Sequence, residues 1–401
     1  MAAYALATVT LLNFLNYIDR YILAAVLPRI KSDLALTDFD LGLLANAFLV
    51  AYFLTSPIFG PLGDRGSRTR LMAAGVAAWS VATALAGVAR SFAQLLAARA
   101  GVGVGEAAYA TVSPALLSDY FPKDRRGRAF AIFYVAIPVG SAVGFLLGGV
   151  LERSFGWRNA FYAVGVPGLL MALVALTVAD PPRGMSDEEG ESSAALPLGD
   201  ALRALSRNFA YVGTVAGYAA YTFALGGLAF WMPTYLERVR GIELARADTI
   251  VGAVTVVAGL AGTFVGGFIG DFLTARVRNG HLWLSGVATL AAVPSAWAAL
   301  YARSPSMYLG NFALAEFLLF LSTGPVNVMI VDVVPIAIRA TAMAVSIFAI
   351  HAFGDAISPS AIGALSDRYG LATGVIVVPT AIALSGLLWM GTAQMARQKS
   401  V

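Results

Sequence analysis

Cysteine is absent from this chain, and histidine occurs only twice, as His281 and His351, among 401 residues. The first absence excludes disulfides and thiolate metal sites. The second leaves too few imidazoles for a histidine-rich metal centre, so no metal and no cofactor is expected. Charge is also scarce: 12% of residues are charged and 59% are hydrophobic. A soluble domain carries about twice that charged fraction. The net charge of +4 is small, and the arginines stand between apolar runs. They read as topology markers and not as a nucleic-acid patch.

What fills the chain instead is twelve apolar spans, with limits near 4–29, 40–62, 70–89, 92–119, 127–151, 157–179, 209–235, 248–273, 281–301, 306–333, 337–364 and 372–394. Each is close to or above the roughly 20 residues that a membrane helix needs. The first span lacks the basic start and small-residue cleavage site of a signal peptide, and is expected to be retained as the first helix. An all-α membrane protein follows, a monomer embedded in a bilayer. One composition shift interrupts the spans at 180–208. It begins Asp180-Pro-Pro-Arg-Gly184, turns acidic at Asp187, Glu188, Glu189 and Glu191, and ends basic at Arg203 and Arg207. It divides the chain into a half at 1–179, a linker at 180–208 and a half at 209–401.

Loop cations set the orientation. The linker side carries Arg65, Arg68, Arg70, Lys123, Arg125, Arg126, Arg128, Arg183, Arg203, Arg207, Arg276, Arg278, Arg339, Arg397 and Lys399, and outnumbers the opposite side. That places the linker and both termini in the cytoplasm. The halves also repeat. Gly60-x-x-Gly63-Asp64 closes the second span and Gly267-x-x-Gly270-Asp271 the eighth. Gly148-x-x-x-Glu152-Arg153 closes the fifth, and Gly363-x-x-x-Asp367-Arg368 the eleventh. Transporters built from related halves bind substrate near the midplane between them.

Four charges lie inside the spans of the first half. Asp19 and Arg20 interrupt the run from Tyr4 to Pro28, and Arg99 and Glu106 flank Gly101, Gly103 and Gly105 in the fourth span. A charge at the bilayer centre costs roughly 2.5–3.5 kcal/mol on insertion scales, so each must face a protein interior or a wet path. Arg99 and Glu106 are about two turns apart on nearly one face, and the three glycines admit a neighbouring helix closely. Opposed helix directions bring Asp19, Arg20, Arg99 and Glu106 to similar depth. Two readings stand: a permanent ion-pair network that sets packing, or a protonatable cluster whose pairing changes with conformation. The second half is less charged. It offers Glu316, and His351 with Asp355 one turn on, besides Asn327, Thr323 and Tyr221. His351 reads equally as a core residue. With Asn16, Tyr17, Tyr134 and Trp231, these residues are the expected substrate cavity.

The loop Gly60-Pro-Leu-Gly-Asp-Arg-Gly-Ser-Arg-Thr-Arg70 resembles the signature between the second and third helices of the major facilitator superfamily, with Ser67 where that motif usually has glycine. The resemblance implies a fold of two pseudo-symmetric six-helix halves. It also implies a cytoplasmic charge lock made by Asp64, Arg65 and Arg68, with Arg125 or Arg126 as partner and Asp271 as the second-half equivalent. The wider set resembles the spinster family: Asn16-Tyr-Ile-Asp-Arg20, Ser56 to Arg65, Gly103-Val-Gly-Glu-Ala107, Ser113-Pro114, Ser118-Asp119, Ala131-Ile-Phe-Tyr134, Pro138 to Gly144, Gly156-Trp-Arg158, Pro181-Pro-Arg-Gly184, His351-Ala-Phe-Gly-Asp355 and Ser358-Pro359. That resemblance implies proton-driven export of lysolipids or phosphorylated sphingoid lipids from a bacterial inner membrane. Asp19, Arg20, Arg99 and Glu106 would couple protons and bind the headgroup. The Asn-Tyr-x-Asp-Arg element alone also resembles anion:cation symporters of sugar acids, which leaves an organic-anion symporter or a drug and amphiphile exporter as the alternative. An enzyme is not expected, because no nucleophile–base pair, metal-ligand group or phosphate loop is present. A ligand sensor would bind without net translocation, and a channel would not need duplicated halves.

Overall fold

The computed structural model describes residues 1–187 and 196–398. Glu188, Glu189 and Glu191 of the linker lie outside the described residues, as do Lys399 and the Arg397 side chain. The described residues contain helices and no strands. In chain order the long helices are α1 (Ala2–Asp33), α2 (Asp38–Arg65), α3 (Arg68–Val88), α4 (Phe92–Tyr120), α5 (Lys123–Phe155), α6 (Trp157–Leu176), α7 (Phe209–Arg238), α8 (Leu244–Thr274), α9 (Gly280–Tyr301), α10 (Pro305–Asp332), α11 (Ile336–Tyr369) and α12 (Leu371–Met395). A shorter helix, Leu198–Arg207, lies in the linker. Ten of the long helices are apolar enough to cross a membrane. The other two, α1 and α4, have the length but carry Asp19, Arg20, Arg99 and Glu106.

Helix starts follow side-chain capping. Thr37 and Asp40 form a reciprocal capping box at α2. Ser67 accepts a hydrogen bond from the Arg70 N–H at 3.3 Å and so caps α3. The serine in the place of the usual motif glycine therefore satisfies a free amide that glycine would leave open.

The chain forms two compact units. The first comprises Met1–Phe121, Ile132–Leu196 and Pro335–Ile347; the second comprises Pro122–Ala131, Pro197–Val334 and Phe348–Val401. The opening residues of α5 thus belong with the second unit, and the opening residues of α11 with the first.

In the first unit α2 packs on α4, α3 on α4 and α6, and α1 on the later part of α5. One apolar cluster joins Ile18, Ile22, Val26 and Ile30 of α1 to Leu95 of α4 and Trp157 and Phe161 of α6. Lipid is as apolar as leucine, so close packing, not water exclusion, holds such helices together. The glycines of α4 permit it. A Cβ at Gly103 would overlap the Phe48 carbonyl of α2, and one at Gly105 would overlap the Trp79 amide of α3. In the second unit α7 packs on α12, α9 on α12 and α10, and α8 on α10. Trp389 Nε1 donates to the Thr214 carbonyl at 3.0 Å, and its ring lies 5.5 Å from Tyr221. Helix α11 widens to a π turn at His351–Asp355, with Gly354 at φ −108° and ψ −108°. Thr222 of α7 donates to the Ile350 carbonyl at 2.9 Å, where the regular ladder is disturbed.

Gly103→Val is expected to cost at least the 1–3 kcal/mol typical of overpacking. Gly42 has no neighbour within 4 Å of a built Cβ, so Gly42→Ala should instead raise stability by about 0.5–1 kcal/mol through helix propensity. Thermal unfolding of the two variants in detergent checks the opposite signs. A second prediction concerns Asp33 at the end of α1. Trp157 Nε1 at 2.8 Å and Arg158 Nη1 at 3.1 Å donate to it, holding its carboxyl below the usual carboxylate range. A lowered pKa contributes stability above the unfolded value and loses it as pH falls through the folded one. Asp33→Asn should therefore lower the melting temperature at pH 7, with the difference closing under acid.

Candidate functional site

Neighbouring residues on an α-helix point about 100° apart, so Asp19 and Arg20 cannot serve one partner. They turn to different ones. Arg20 Nε donates to Glu106 Oε2 at 2.7 Å. Its guanidinium also lies 4.9 Å from the Tyr17 ring, 4.8 Å from Phe48 and 4.9 Å from Tyr52. Asp19 Oδ2 accepts from the Thr83 hydroxyl of α3, while Asp19 Oδ1 stands 3.9 Å from Arg99 Nη1. Arg99 shares the Phe48 ring, at 5.1 Å. The structure thus brings Asp19, Arg20, Arg99 and Glu106 together inside the first unit, across α1 and α4. Asn16 is buried on α1, and Tyr17 is half-buried beside Arg20.

The charges balance, but the hydrogen bonds do not. Asp19, Arg99 and Glu106 are almost wholly buried. Yet Asp19 Oδ1, Arg99 Nε, Arg99 Nη1 and Glu106 Oε1 make no hydrogen bond among the described residues. A buried polar atom left unbonded costs about 1–3 kcal/mol, more when charged. A purely structural ion-pair network would be expected to use that capacity. Thr83, Phe48 and Tyr52 escaped the sequence reading. A threonine or an aromatic inside an apolar span carries no signal until its neighbours are known.

The residues expected to form a cavity in the second half are differently committed. Tyr221 donates to the Leu319 carbonyl at 3.0 Å, and Trp231 Nε1 to the Pro359 carbonyl at 2.9 Å. Asn327 Nδ2 donates to the Tyr218 hydroxyl at 3.1 Å and to the Thr323 carbonyl at 2.8 Å. His351 Nδ1 lies 2.9 Å from both oxygens of Asp355, across the π turn. Glu316 is buried on α10, and its Oε2 has no partner among the described residues. A small apolar cavity of about 20 Å³ lies among Trp231, Met232, Phe312, Ala315, Leu300 and Val378. Tyr134 belongs to the first unit, where its ring meets Phe133 at 4.7 Å. No group of three or more His, Asp or Glu able to hold a metal occurs among the described residues.

The expected charge lock takes another form. Asp64 accepts from the amides of Ala340 and Thr341, each at 2.9 Å, and from the Thr341 hydroxyl. Its partner is the start of α11, not Arg125 or Arg126. A helix N-terminus offers free N–H groups and a positive dipole end, which suit a carboxylate without any arginine. Arg65 donates to the Leu196 carbonyl at 3.1 Å. Arg68 pairs with Asp119 and, through Nη2, with Asp180 at 2.9 Å. Asp119 also receives Arg339 Nη1 at 3.0 Å, and Arg339 meets Asp187 at 2.6 Å. The second unit repeats the arrangement. Asp271 accepts from the Gly127 and Arg128 amides at 2.7 and 3.0 Å, and Arg126 pairs with Asp332. Arg125 is exposed, 3.7 Å from its neighbour Asp124. The internal repeat pointed to the pair Asp64 and Asp271. The matching pairs Asp119–Arg339 and Asp332–Arg126 were hidden, because each joins a helix end to a loop cation far along the chain.

The chain matches the Major Facilitator Superfamily over residues 9–359. It is 35% identical over 381 residues to protein spinster homolog 3 of Danio rerio, covering 90% of this chain and 76% of that one. The chain belongs to the spinster family. A second spinster relative, the sphingosine-1-phosphate transporter SPNS2 of Danio rerio, is 30% identical over 413 residues and covers 95% and 82% of the two chains. Among solved structures, a bacterial homolog of the human lysosomal transporter Spinster, in an inward-facing and unoccupied conformation, aligns with a TM-score of 0.66 at 25% identity, over 98% of this chain and 97% of that one. As a spinster-family member the chain is an integral membrane transporter of the major facilitator fold, with twelve membrane helices, and not an enzyme.

The two arginines expected as partners of Asp64 should separate by burial. Arg126→Gln strands the Asp332 carboxylate and is expected to cost about 3 kcal/mol, the low end for breaking a buried pair. Arg125→Gln should stay within about 0.5 kcal/mol, as exposed sites do. Equilibrium unfolding in mixed micelles measures both.

Proposed function

We propose that this spinster transporter moves lysolipid or sphingoid-phosphate-like anions by proton-coupled alternating access. One observation carries the reading: a buried, charge-balanced cluster holds back four hydrogen-bonding atoms, on Asp19, Arg99 and Glu106. Arg99 offers two unused nitrogens to an anionic headgroup. Glu106 and Asp19 each offer an unused oxygen to a proton. When a proton neutralises one acid, its arginine partner gains net positive charge for the anion; when the anion leaves, the acid pairs again. Binding and protonation are then linked through one electrostatic balance.

The wider protein suits an amphipathic substrate. Tyr221, Trp231 and Asn327 are engaged with backbone carbonyls or with Tyr218, and the surroundings of Trp231 are apolar. A sugar acid needs hydrogen-bond partners along its whole length; a lipid tail needs none. The similarity to a sphingosine-1-phosphate transporter points the same way. In this reading the halves 1–179 and 209–401, joined by 180–208, open the site alternately to the two sides of a bacterial inner membrane. The linker and termini lie in the cytoplasm. The capped starts of α5 and α11, with Asp271 and Asp64, act as the cytoplasmic gate. One copy of the chain contains the whole charged cluster, so a monomer suffices.

Reconstitution tests this directly. Purified protein in proteoliposomes should move lysophosphatidic acid faster under an imposed pH gradient and leave glucuronate unmoved. Glu106→Gln should abolish the dependence on the gradient while retaining exchange of bound lipid. Lysolipid flux in the wild type that ignores the gradient sinks the coupling, and glucuronate flux in its place sinks the lipid assignment.

A further inference from the structure

Thr83 breaks the habit of its neighbours. Hydroxyls inside these helices usually donate to the carbonyl one turn back, as Thr55, Ser113, Thr214 and Thr392 do. That local bond satisfies the group within its own helix. Thr83 on α3 instead reaches across to α1 and donates to Asp19 Oδ2. It is fully buried. Oδ2 takes this bond, and the other oxygen, Oδ1, has no hydrogen bond among the described residues. That oxygen stops 3.9 Å from Arg99 Nη1, outside hydrogen-bond range. Arg99 Nε and Nη1 are left open in consequence.

We infer that Thr83 is a positioning residue, which holds Asp19 off Arg99 and so keeps the Arg99 guanidinium open for an anion. An aspartate and an arginine this close in a dry interior attract strongly, and a direct charge-assisted bond at about 2.8 Å is the default. A competing donor on the carboxylate prevents that collapse. Arg20 does not serve, because Glu106 and three aromatic rings engage it. Glu106 does not replace Asp19, because one of its oxygens is bonded to Arg20. The assignment rests on the anion-transport reading for its consequence, but the positioning itself is a property of the empty protein.

Two measurements test it. Infrared difference spectra of the ligand-free protein, with the Asp19 carboxylate band assigned by its loss in Asp19→Asn, should show that band displaced in Thr83→Val and restored in Thr83→Ser. Lysophosphatidic acid binding in phosphatidylcholine nanodiscs should weaken about tenfold in Thr83→Val, the cost of a hydrogen bond to a charged group. Thr83→Ser should bind within about twofold of wild type on the same scale. In an Asp19→Asn background Thr83→Val should change nothing, because the effect runs through that carboxylate. An unmoved band overturns the inference. So does equal weakening by valine and serine, or an undiminished valine effect without Asp19. Should the wild type bind no lysophosphatidic acid, the lipid reading fails, and the infrared result alone decides the role of Thr83.

Discussion

Everything in the first unit is arranged around charges that lipid will not accept. Asp19, Arg20, Arg99 and Glu106 sit on helices whose other residues are overwhelmingly apolar. The only tolerable place for them is against one another. That requirement sets which faces of α1 and α4 turn inward. It places α2 where Phe48 and Tyr52 can cover the guanidiniums, and α3 where Thr83 can reach a carboxylate. Glycine at 103 and 105 lets these neighbours come close enough to do so. Charge neutrality and tight packing are therefore one constraint seen twice.

The same economy recurs at the ends of the helices. At two buried carboxylates a helix start supplies the positive end, joined at Asp271 by Arg128 at 3.2 Å. Asp64 and Asp271 both use it, each receiving two backbone amides from a helix far along the chain. Arg68 and Arg339 pair with Asp119, and Arg126 pairs with Asp332. Each unit thus carries a capped helix start and a buried ion pair, a duplication of physics as well as of sequence. The units differ in the middle. The first keeps a compact cluster of charged groups with unused bonding capacity, whereas in the second Tyr221 and Trp231 are bonded to backbone carbonyls and the cavity beside Trp231 is apolar.

Much of this was legible in the residues themselves. Scarce charge and long apolar spans dictated a helical membrane protein. A charge inside a span required a buried partner, because the cost of burying it is large at any position in any fold. The repeated Gly-x-x-Gly-Asp element marked Asp64 and Asp271 as equivalent. Those signals are local or periodic, so one chain suffices to read them.

What the tertiary structure decided was pairing. The sequence contained the four charges, but only the fold assigned Glu106 to Arg20 and left Asp19 between Thr83 and Arg99. It contained the motif aspartate, but only the fold replaced the expected arginine with the start of α11. Thr83, Phe48 and Tyr52 had no distinguishing pattern, since a polar or aromatic side chain gains its meaning from what stands across from it. Insertion energy is a property of one residue in one solvent, and composition determines it. Partner choice depends on distances of a few ångströms between helices remote in sequence, and packing alone sets those.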